Sequence, residues 1–438
     1  MKQFLFFLFA FVMLASQAQH SISGTLTPAE DYKWIIAYHL NAGTQNYVAD
    51  GQVKNGKFSL KIKDKDPVGT YRVVYAVPQE EFYFDVIYSG QEDVTLTFDA
   101  NTGLKFSASE ENKVYADYAK DMAAIEQEIF NFYSAKKTDE ATFVGLMDNV
   151  KKVQTFYEGK SANLMNHNFI KASVPYTPDH FQTVEEYIKN KTQHYFDAID
   201  FGNPILQNSS FLLDRVVNYI FTALPLGKLS AAATEKTLLK NVQTVSQLVN
   251  KEDLKFQTNL YEVIWSDLSG NDYHNTADAV YQQFLKPLAT KTGNANLISS
   301  IEVHNRLRIG AQAPEIEWKE ASSTKRLSAL GSSPQYLLVF WSSTCSHCLN
   351  ELPKLHEALK GNSKLKVLAI GLEDNDRNWR KETAKLPGFT HAISLGKWES
   401  VYAQLYNIRR TPSYFILDQD KNIRAKPEDY EEVLGLLK

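Results

Sequence analysis

Both cysteines of this 438-residue chain lie three positions apart, between an apolar run and an amphipathic pattern. The apolar run Tyr336–Phe340 precedes Cys345 and Cys348, and leucines follow them at helical spacing. This order predicts a strand, a turn and a helix, with Cys345 at the helix N-terminus. Unpaired backbone N–H groups and the helix dipole favour an anion there, so Cys345 should lose its proton readily. The spacing therefore supplies a nucleophilic thiolate and, one helical turn later, a thiol that can resolve a mixed disulfide.

Other uses of a C-x-x-C pair agree less well with the sequence. A zinc site needs two further ligands, but the chain contains no other cysteine and no H-x-x-x-H pair. A purely structural disulfide across so short a loop would gain little from loop entropy. We therefore expect a redox pair that uses neither a metal nor a cofactor. A degenerate domain that keeps its cysteines without turnover stays open as an alternative.

Three motifs follow one another in the last third of the chain. Ile309–Pro314 contains Gly-x-x-Ala-Pro, Phe340–Pro353 combines Phe-Trp, C-x-x-C and Glu-Leu-Pro, and Arg410–Asp418 places Thr-Pro before an apolar segment. Together they resemble the TlpA/ResA-like extracytoplasmic thiol–disulfide oxidoreductases, which have a thioredoxin fold. The resemblance covers about residues 306–438, and the first motif is similar to the lead-in of peroxiredoxins as well.

The resemblance implies a role for each motif residue. The implied set is Cys345, Cys348 and Glu351 for catalysis, and Trp341, His347, Thr411 and Pro412 for binding the substrate. Cys345 would attack a partner disulfide and Cys348 would resolve it, while Glu351 could accept the Cys348 proton. A cationic His347 would stabilise the thiolate. A cis Pro412 would leave the backbone of Thr411 free to pair with an extended partner segment.

Two positions depart from the family pattern. Thr344 precedes the first cysteine, where the family usually has an aromatic residue, and this affects the shape of the partner groove. Val339 stands where cytoplasmic thioredoxins carry a buried aspartate beneath the cysteines. Glu351 is then the carboxylate of the motif that lies nearest to the two cysteines in the sequence.

The N-terminus has the pattern of a secretory signal peptide. Lys2 precedes the apolar run from Phe4 to Ala15, and Ser16–Ala18 is a small-x-small cleavage site. We expect cleavage after Ala18 and a periplasmic protein. The apolar run is short for a membrane span, so we expect no stable span after cleavage, and an uncleaved anchor is the minor alternative.

The periodicity of the remaining sequence changes twice and predicts a multidomain protein. After the signal peptide 1–18, residues 19–107 alternate over short segments and predict an antiparallel β-sandwich. This part resembles a small β-domain, of unassigned function, that often precedes a thioredoxin domain in secreted bacterial proteins. Residues 108–305 repeat apolar positions at helical spacing and predict an all-α region. Residues 306–438 alternate strands with helices and predict an α/β thioredoxin-like fold.

Six strands are predicted in the β part. They are residues 22–26, 34–40, 58–62, 71–77, 82–88 and 94–98, separated by turn signals such as Asn55–Gly56.

Composition limits the choice of partners. A net charge of −4 gives no reason to expect nucleic-acid binding, and 44% hydrophobic residues indicate a folded chain. An exported protein with only two cysteines does not depend on disulfides for stability, so its pair is free to cycle. The expected partners are protein thiols and disulfides of the cell envelope, together with an upstream redox partner.

Three functions are consistent with these observations. The leading hypothesis is an exported thiol–disulfide oxidoreductase. A thiol peroxidase is disfavoured, because the peroxiredoxin arrangement Pro-x-x-x-Thr/Ser-x-x-Cys is not matched by Trp341 and Thr344. The third hypothesis is a non-enzymatic envelope scaffold with a vestigial redox domain. The direction of net electron flow is not set by these residues.

Overall fold

The computed structural model describes residues 20–42, 44–63, 65–320 and 322–437. The predicted signal peptide and its cleavage after Ala18 lie outside these described residues. These described residues divide into two compact units, one up to residue 288 and one from residue 289 onward. Among the helices that the structure describes, none combines the length and the apolar character that a membrane span requires.

The first unit begins with strands whose side chains alternate between core and solvent. In the described part of the chain they are β1 (Ser21–Thr27), β2 (Trp34–Asn41), β3 (Thr44–Gln52), β4 (Lys57–Lys61), β5 (Gly69–Val74), β6 (Tyr83–Tyr88), β7 (Val94–Asp99) and β8 (Gly103–Ala108). They form two four-stranded sheets, ordered β4-β1-β7-β8 and β3-β2-β5-β6. Strands β1 and β7 run parallel, and every other neighbouring pair is antiparallel.

The two sheets share one hydrophobic cluster. Ile22 and Leu26 of β1, Ile35 of β2 and Tyr71 of β5 all lie in it with no exposed surface. Since apolar residues from both sheets fill a common core, this part is a β-sandwich, and the predicted fold class is confirmed with one parallel strand pair.

Two strands have no counterpart in the sequence prediction. Strand β3 lies at the edge of its sheet, and none of its residues is fully buried. Strand β8 is the edge of the other sheet and is similarly half-exposed. The sequence of β3 has no regular apolar alternation, so hydrophobic periodicity gives no signal for it. In β8, Leu104 and Phe106 alternate and pack against the core cluster, and this short alternation is the signal that could have identified the strand.

The hairpin turn at Asn55–Gly56 forms as its sequence predicts. Lys54 and Lys57 exchange two backbone hydrogen bonds of 2.9 and 3.0 Å, so only two residues make the turn. Asn55 has a φ angle of 50° and Gly56 one of 74°. Positive φ at both positions defines a type I′ turn, whose twist matches that of the flanking strands.

Helices follow for the rest of the first unit and continue into the second. In the described residues they are α1 (Glu110–Ser134), α2 (Glu140–Ser161), α3 (His167–Ala172), α4 (Val184–Gln193), α5 (Pro204–Gln207), α6 (Phe211–Thr222), α7 (Ala231–Val249), α8 (Leu254–Gly270), α9 (His274–Val280), a π-helical turn (Tyr281–Leu285), α10 (Lys286–Lys291) and α11 (Ala295–Leu307). Helix α1 buries a stripe at helical spacing that includes Val114, Tyr118 and Met122. The predicted all-α middle region is confirmed.

Side chains at the start of α1 join the helices to the β-sandwich. Asn112 accepts a hydrogen bond from the Ile87 N–H at 2.8 Å and donates one to the Ile87 carbonyl at 2.7 Å. These bonds satisfy backbone groups on β6, which is an edge strand of its sheet. The Glu92 carboxylate also accepts the N–H groups of Glu110 and Glu111 in the first turn of α1.

The second unit begins within α10 and contains α11 and the α/β region. Its further elements are β9 (Glu317–Glu320), β10 (Ser323–Arg326), β11 (Gln335–Trp341), α12 (Ser346–Leu359), β12 (Leu365–Glu373), α13 (Arg377–Thr383), β13 (Thr390–Leu395), a short 3-10 turn (Lys397–Glu399), α14 (Val401–Leu405), β14 (Ser413–Leu417), β15 (Ile423–Ala425) and α15 (Tyr430–Leu436).

A five-stranded sheet, ordered β13-β12-β11-β14-β15, forms the centre of this unit. Strands β11, β12 and β13 run parallel, whereas β14 and β15 are antiparallel to their neighbours. Hydrophobic clusters cover both faces, one around Phe340 and Tyr406, the other around Trp341 and Tyr414. A strand buried on both faces reads as a continuous apolar run, as β11 does. The predicted α/β class of this region is confirmed.

Candidate active site

Cys345 lies at the N-terminus of α12, directly after the loop that follows β11. Its backbone is extended, with φ −88° and ψ 117°, and its sulfur accepts a hydrogen bond from the Cys348 N–H at 3.3 Å. The carbonyl of Cys345 accepts the first intrahelical bond, from Leu349 N–H at 3.0 Å. Cys345 is therefore the N-cap of α12, where unpaired N–H groups favour a negative charge.

The two thiols occupy opposite environments. Both are free, but Cys345 is partly exposed whereas Cys348 is fully buried on the inner face of α12. Burial by itself would raise the pKa of Cys345. Hydrogen bonds from the Cys348 thiol, the Thr411 hydroxyl and the backbone N–H groups of Cys348 and His347 outweigh that effect and lower the pKa.

The second thiol is a weak acid. Burial raises the pKa of Cys348 to about 12, and its hydrogen bond to Cys345 contributes in the same direction. At neutral pH a much larger fraction of Cys345 than of Cys348 is therefore ionised. Thiolates react with disulfides and thiols do not, so only Cys345 is ready to attack.

The loop before β14 places Thr411 and Pro412 beside the first cysteine. The Thr411–Pro412 peptide bond is cis, and Pro412 is buried. As a thiol, Cys345 donates to the Thr411 carbonyl at 3.4 Å. The Thr411 side chain is partly exposed, so this loop and the reactive sulfur lie next to each other at a surface that solvent reaches.

Glu351 and Tyr414 form a hydrogen-bonded pair one helical turn after Cys348. The Tyr414 hydroxyl donates to Glu351 Oε2 at 3.1 Å. Glu351 is partly buried on α12, while Tyr414 on β14 is only 2% exposed. Sequence reasoning predicts Glu351 but not Tyr414, because an aromatic residue in an apolar strand indicates core packing and nothing local links the two.

Trp341 is buried in the structure, whereas His347 is exposed. Trp341 is 1% exposed and packs in the same hydrophobic cluster as Cys348 and Leu352. It is buried because the strand that precedes the motif is covered on both faces, and its contact with a substrate stays a prediction. His347 is exposed on the first turn of α12, and its backbone N–H hydrogen-bonds to the Cys345 sulfur.

A second carboxylate, which the sequence analysis did not identify, holds the loop before Cys345. Glu373 is 3% exposed at the end of β12. One of its oxygens accepts the Ser343 N–H, and the other accepts the Ser343 hydroxyl at 3.0 Å. Strands β11 and β12 are parallel and pair Trp341 with Gly371, so their C-terminal ends reach the same sheet edge. An acidic residue at the end of an apolar strand next to the motif strand is the signal that could have identified it.

We expect Glu373→Ala to loosen the loop before the cysteines. The substitution leaves two buried donors on Ser343 without an acceptor, and each unsatisfied buried donor costs about 1–3 kcal/mol. Hydrogen–deuterium exchange of the peptide that contains Ser343 should become at least about tenfold faster, whereas Glu373→Gln should stay close to wild type because its amide oxygen still accepts.

The control for this measurement is Glu357→Ala, which removes an exposed carboxylate from α12. Unchanged protection around Ser343 in the Glu373→Ala variant would contradict the anchoring role of Glu373.

The described part of the chain contains no cluster of metal ligands. No group of three or more His, Cys, Asp or Glu side chains there could hold a metal ion.

Comparison with known proteins identifies the fold of this region. Residues 335–423 match the family described as thioredoxin-like. A domain of a possible thiol-disulfide isomerase from Cytophaga hutchinsonii is 29% identical over 30% of this chain and 91% of its own, with a TM-score of 0.27. The thioredoxin domain of a thiol-disulfide oxidoreductase from Bacteroides vulgatus is 20% identical over 30% and 99%, with a TM-score of 0.26.

A thioredoxin-like protein from Bacteroides caccae aligns over more of the chain. It is 17% identical over 58% of this chain and 94% of its own, with a TM-score of 0.32. Among curated protein sequences, none matches. The family match over residues 335–423 shows that the second unit carries a thioredoxin-like domain.

Proposed function

We propose that this chain, whose second unit carries a thioredoxin-like domain, is an exported thiol–disulfide oxidoreductase that exchanges disulfides with envelope proteins through Cys345 and Cys348. One observation supports the proposal above all others. A partly exposed thiol with a lowered pKa caps a helix, and a buried thiol with a raised pKa lies one turn behind it. That asymmetry separates an attacking sulfur from a resolving one.

Exchange proceeds in two substitutions at sulfur. The Cys345 thiolate attacks one sulfur of a partner disulfide, which forms a mixed disulfide and releases the other partner sulfur as a thiolate. Cys348 then loses its proton and attacks Cys345, which breaks the mixed disulfide and releases the second partner sulfur. Each released thiolate takes up a proton. The partner disulfide gains two electrons and becomes a dithiol, while Cys345 and Cys348 become a disulfide.

Glu351 is the base that we assign to the second substitution. It lies three residues after Cys348 on α12, a spacing that brings side chains onto the same face of a helix. Glu351 is partly buried on α12, and its carboxylate accepts a hydrogen bond from Tyr414, which packs in the same cluster as Cys348. General bases of this kind contribute roughly a hundredfold or more to the rate of a step.

The partner is a protein segment in extended conformation. The Thr411 carbonyl lies 3.4 Å from the Cys345 sulfur, so a strand that pairs with the Thr411 backbone brings its cysteine to the reactive atom. His347 is exposed beside that position and is available to contact the partner. The signal sequence supports an envelope location, and an upstream redox partner returns the pair to its starting state.

The test is turnover of a protein disulfide by the purified mature chain. Insulin with excess reduced glutathione is a suitable substrate, and hydrogen peroxide consumption is followed in parallel under the same conditions. We expect the protein to accelerate insulin reduction and not peroxide consumption. Peroxide consumption without disulfide exchange would indicate a peroxidase instead, and activity toward neither substrate would support the scaffold hypothesis.

A further inference from the structure

Tyr414 lies on the sheet face whose hydrophobic cluster contains Cys348. In the antiparallel pairing of β11 with β14 it lies directly opposite Val339. Residues directly opposite in neighbouring strands project from the same face of a sheet, and both belong to the hydrophobic cluster that contains Cys348. Val339 brings no acid or base to this face. The Tyr414 hydroxyl is the polar group that β14 contributes there.

The hydrogen bond of this hydroxyl has a fixed direction. A buried phenol needs a partner, and Tyr414 donates to Glu351 Oε2 at 3.1 Å. Burial and the neighbouring charge of Glu351 raise the pKa of Tyr414, so the phenol keeps its proton and remains a donor throughout the range in which thiols react. A donor aimed at a carboxylate stabilises its ionised form and restricts its rotation.

We propose that Tyr414 is a positioning residue for disulfide exchange, which holds the Glu351 carboxylate in place to accept the Cys348 proton while the mixed disulfide is resolved. This role rests on the proposed function. In the step concerned, the proton of Cys348 passes to Glu351, and the resulting thiolate attacks Cys345. The bond between Cys345 and the partner then breaks, and the partner leaves as a thiolate. Tyr414 neither gains nor loses a proton.

A chromogenic aryl disulfide separates the two substitutions. Each step releases one coloured thiolate, so attack by Cys345 gives a first phase that depends on reagent concentration. Resolution by Cys348 gives a second phase that does not. We expect Tyr414→Phe to leave the first phase unchanged and to slow the second about fivefold, the usual effect of losing one hydrogen bond. The acidic limb of the second-phase pH profile should move to higher pH.

The matched control is Tyr406→Phe. Tyr406 is equally buried, but it packs in the cluster on the opposite face of the sheet, and its hydroxyl donates to the Pro314 carbonyl. Removing that hydroxyl deletes one buried hydrogen bond from the same domain without touching Glu351. Both phases should match wild type, which separates a loss of positioning from a general loss of packing.

A double variant completes the test. Glu351→Gln should slow the second phase on the order of a hundredfold, and adding Tyr414→Phe should then change it less than about twofold. The positioning role is wrong if the second phase of Tyr414→Phe is as fast as in wild type. It is also wrong if Tyr414→Phe slows the second phase about fivefold even in the Glu351→Gln background. Neither result contradicts the proposed function. A wild-type protein that releases no coloured thiolate overturns both.

Discussion

Replacing Cys345 with alanine should abolish disulfide exchange, whereas replacing Cys348 with alanine should leave the first step intact and stop the second. Cys345 is the partly exposed thiol at the N-cap of α12 and carries the lowered pKa. Cys348 is fully buried and cannot replace it as the attacking group. Insulin reduction should fall to background in both variants, because a complete cycle needs both sulfurs.

The two variants differ in what they accumulate. The Cys348→Ala protein should be recovered as a stable mixed disulfide with its substrate, detectable by mass and released by dithiothreitol, whereas Cys345→Ala should form no adduct. Asn350→Ala serves as the control, since it changes an exposed residue of the same helix and should turn over normally. The assignment of roles would be contradicted if Cys345→Ala turned over the substrate, or if Cys348→Ala accumulated no mixed disulfide. In cell extracts the trapped adducts would also identify the partners.

Alkylation of the reduced protein should label Cys345 far faster than Cys348. The pKa of Cys345 lies below its ordinary value of 9.0 and that of Cys348 is about 12. Near neutral pH a far larger fraction of Cys345 than of Cys348 is therefore thiolate. The more basic thiolate is intrinsically the more nucleophilic, but this recovers only part of the difference, and the burial of Cys348 adds to the selectivity for Cys345.

The measurement follows iodoacetamide labelling by mass spectrometry between about pH 6 and 9. Labelling of Cys345 should be appreciable at the lower end, because its thiolate forms at lower pH than an ordinary thiol. Labelling of Cys348 should stay slow throughout, since the pH remains below the pKa of that thiol. Denaturing the protein should equalise the two rates. Faster labelling of Cys348 in the folded protein would refute the ranking.

The sequence is informative wherever a local pattern determines the structure. The C-x-x-C motif between an apolar run and an amphipathic segment is sufficient to place Cys345 at the start of α12, because strand, turn and helix are adjacent in the chain. The turn at Asn55–Gly56 is predicted for the same reason, since both residues tolerate positive φ. Strand β3 escapes prediction because it lies at a sheet edge with no fully buried residue, and periodicity requires a buried face.

Contacts between residues that are distant in the sequence could not be predicted. Tyr414 and Glu351 are 63 positions apart, and Glu373 and Ser343 are 30 apart. The residues of each pair are in contact only because the pairing of strands in the sheet brings their elements together. Sequence spacing does not predict such a contact. Trp341 shows the complementary case. The motif contains this residue, but its burial follows from the packing on both faces of the strand, which the motif does not describe.

The most direct test of the central proposal is whether Cys345 and Cys348 form a reversible disulfide. Reduced mature protein is incubated with oxidised glutathione, quenched in acid, alkylated and digested. The mass of the peptide that contains both cysteines is then measured by mass spectrometry. We predict that this peptide loses two hydrogens and resists alkylation, and that dithiothreitol restores two alkylatable thiols. If both cysteines remain fully alkylated after treatment with oxidised glutathione, the pair does not cycle and the proposed oxidoreductase function is wrong.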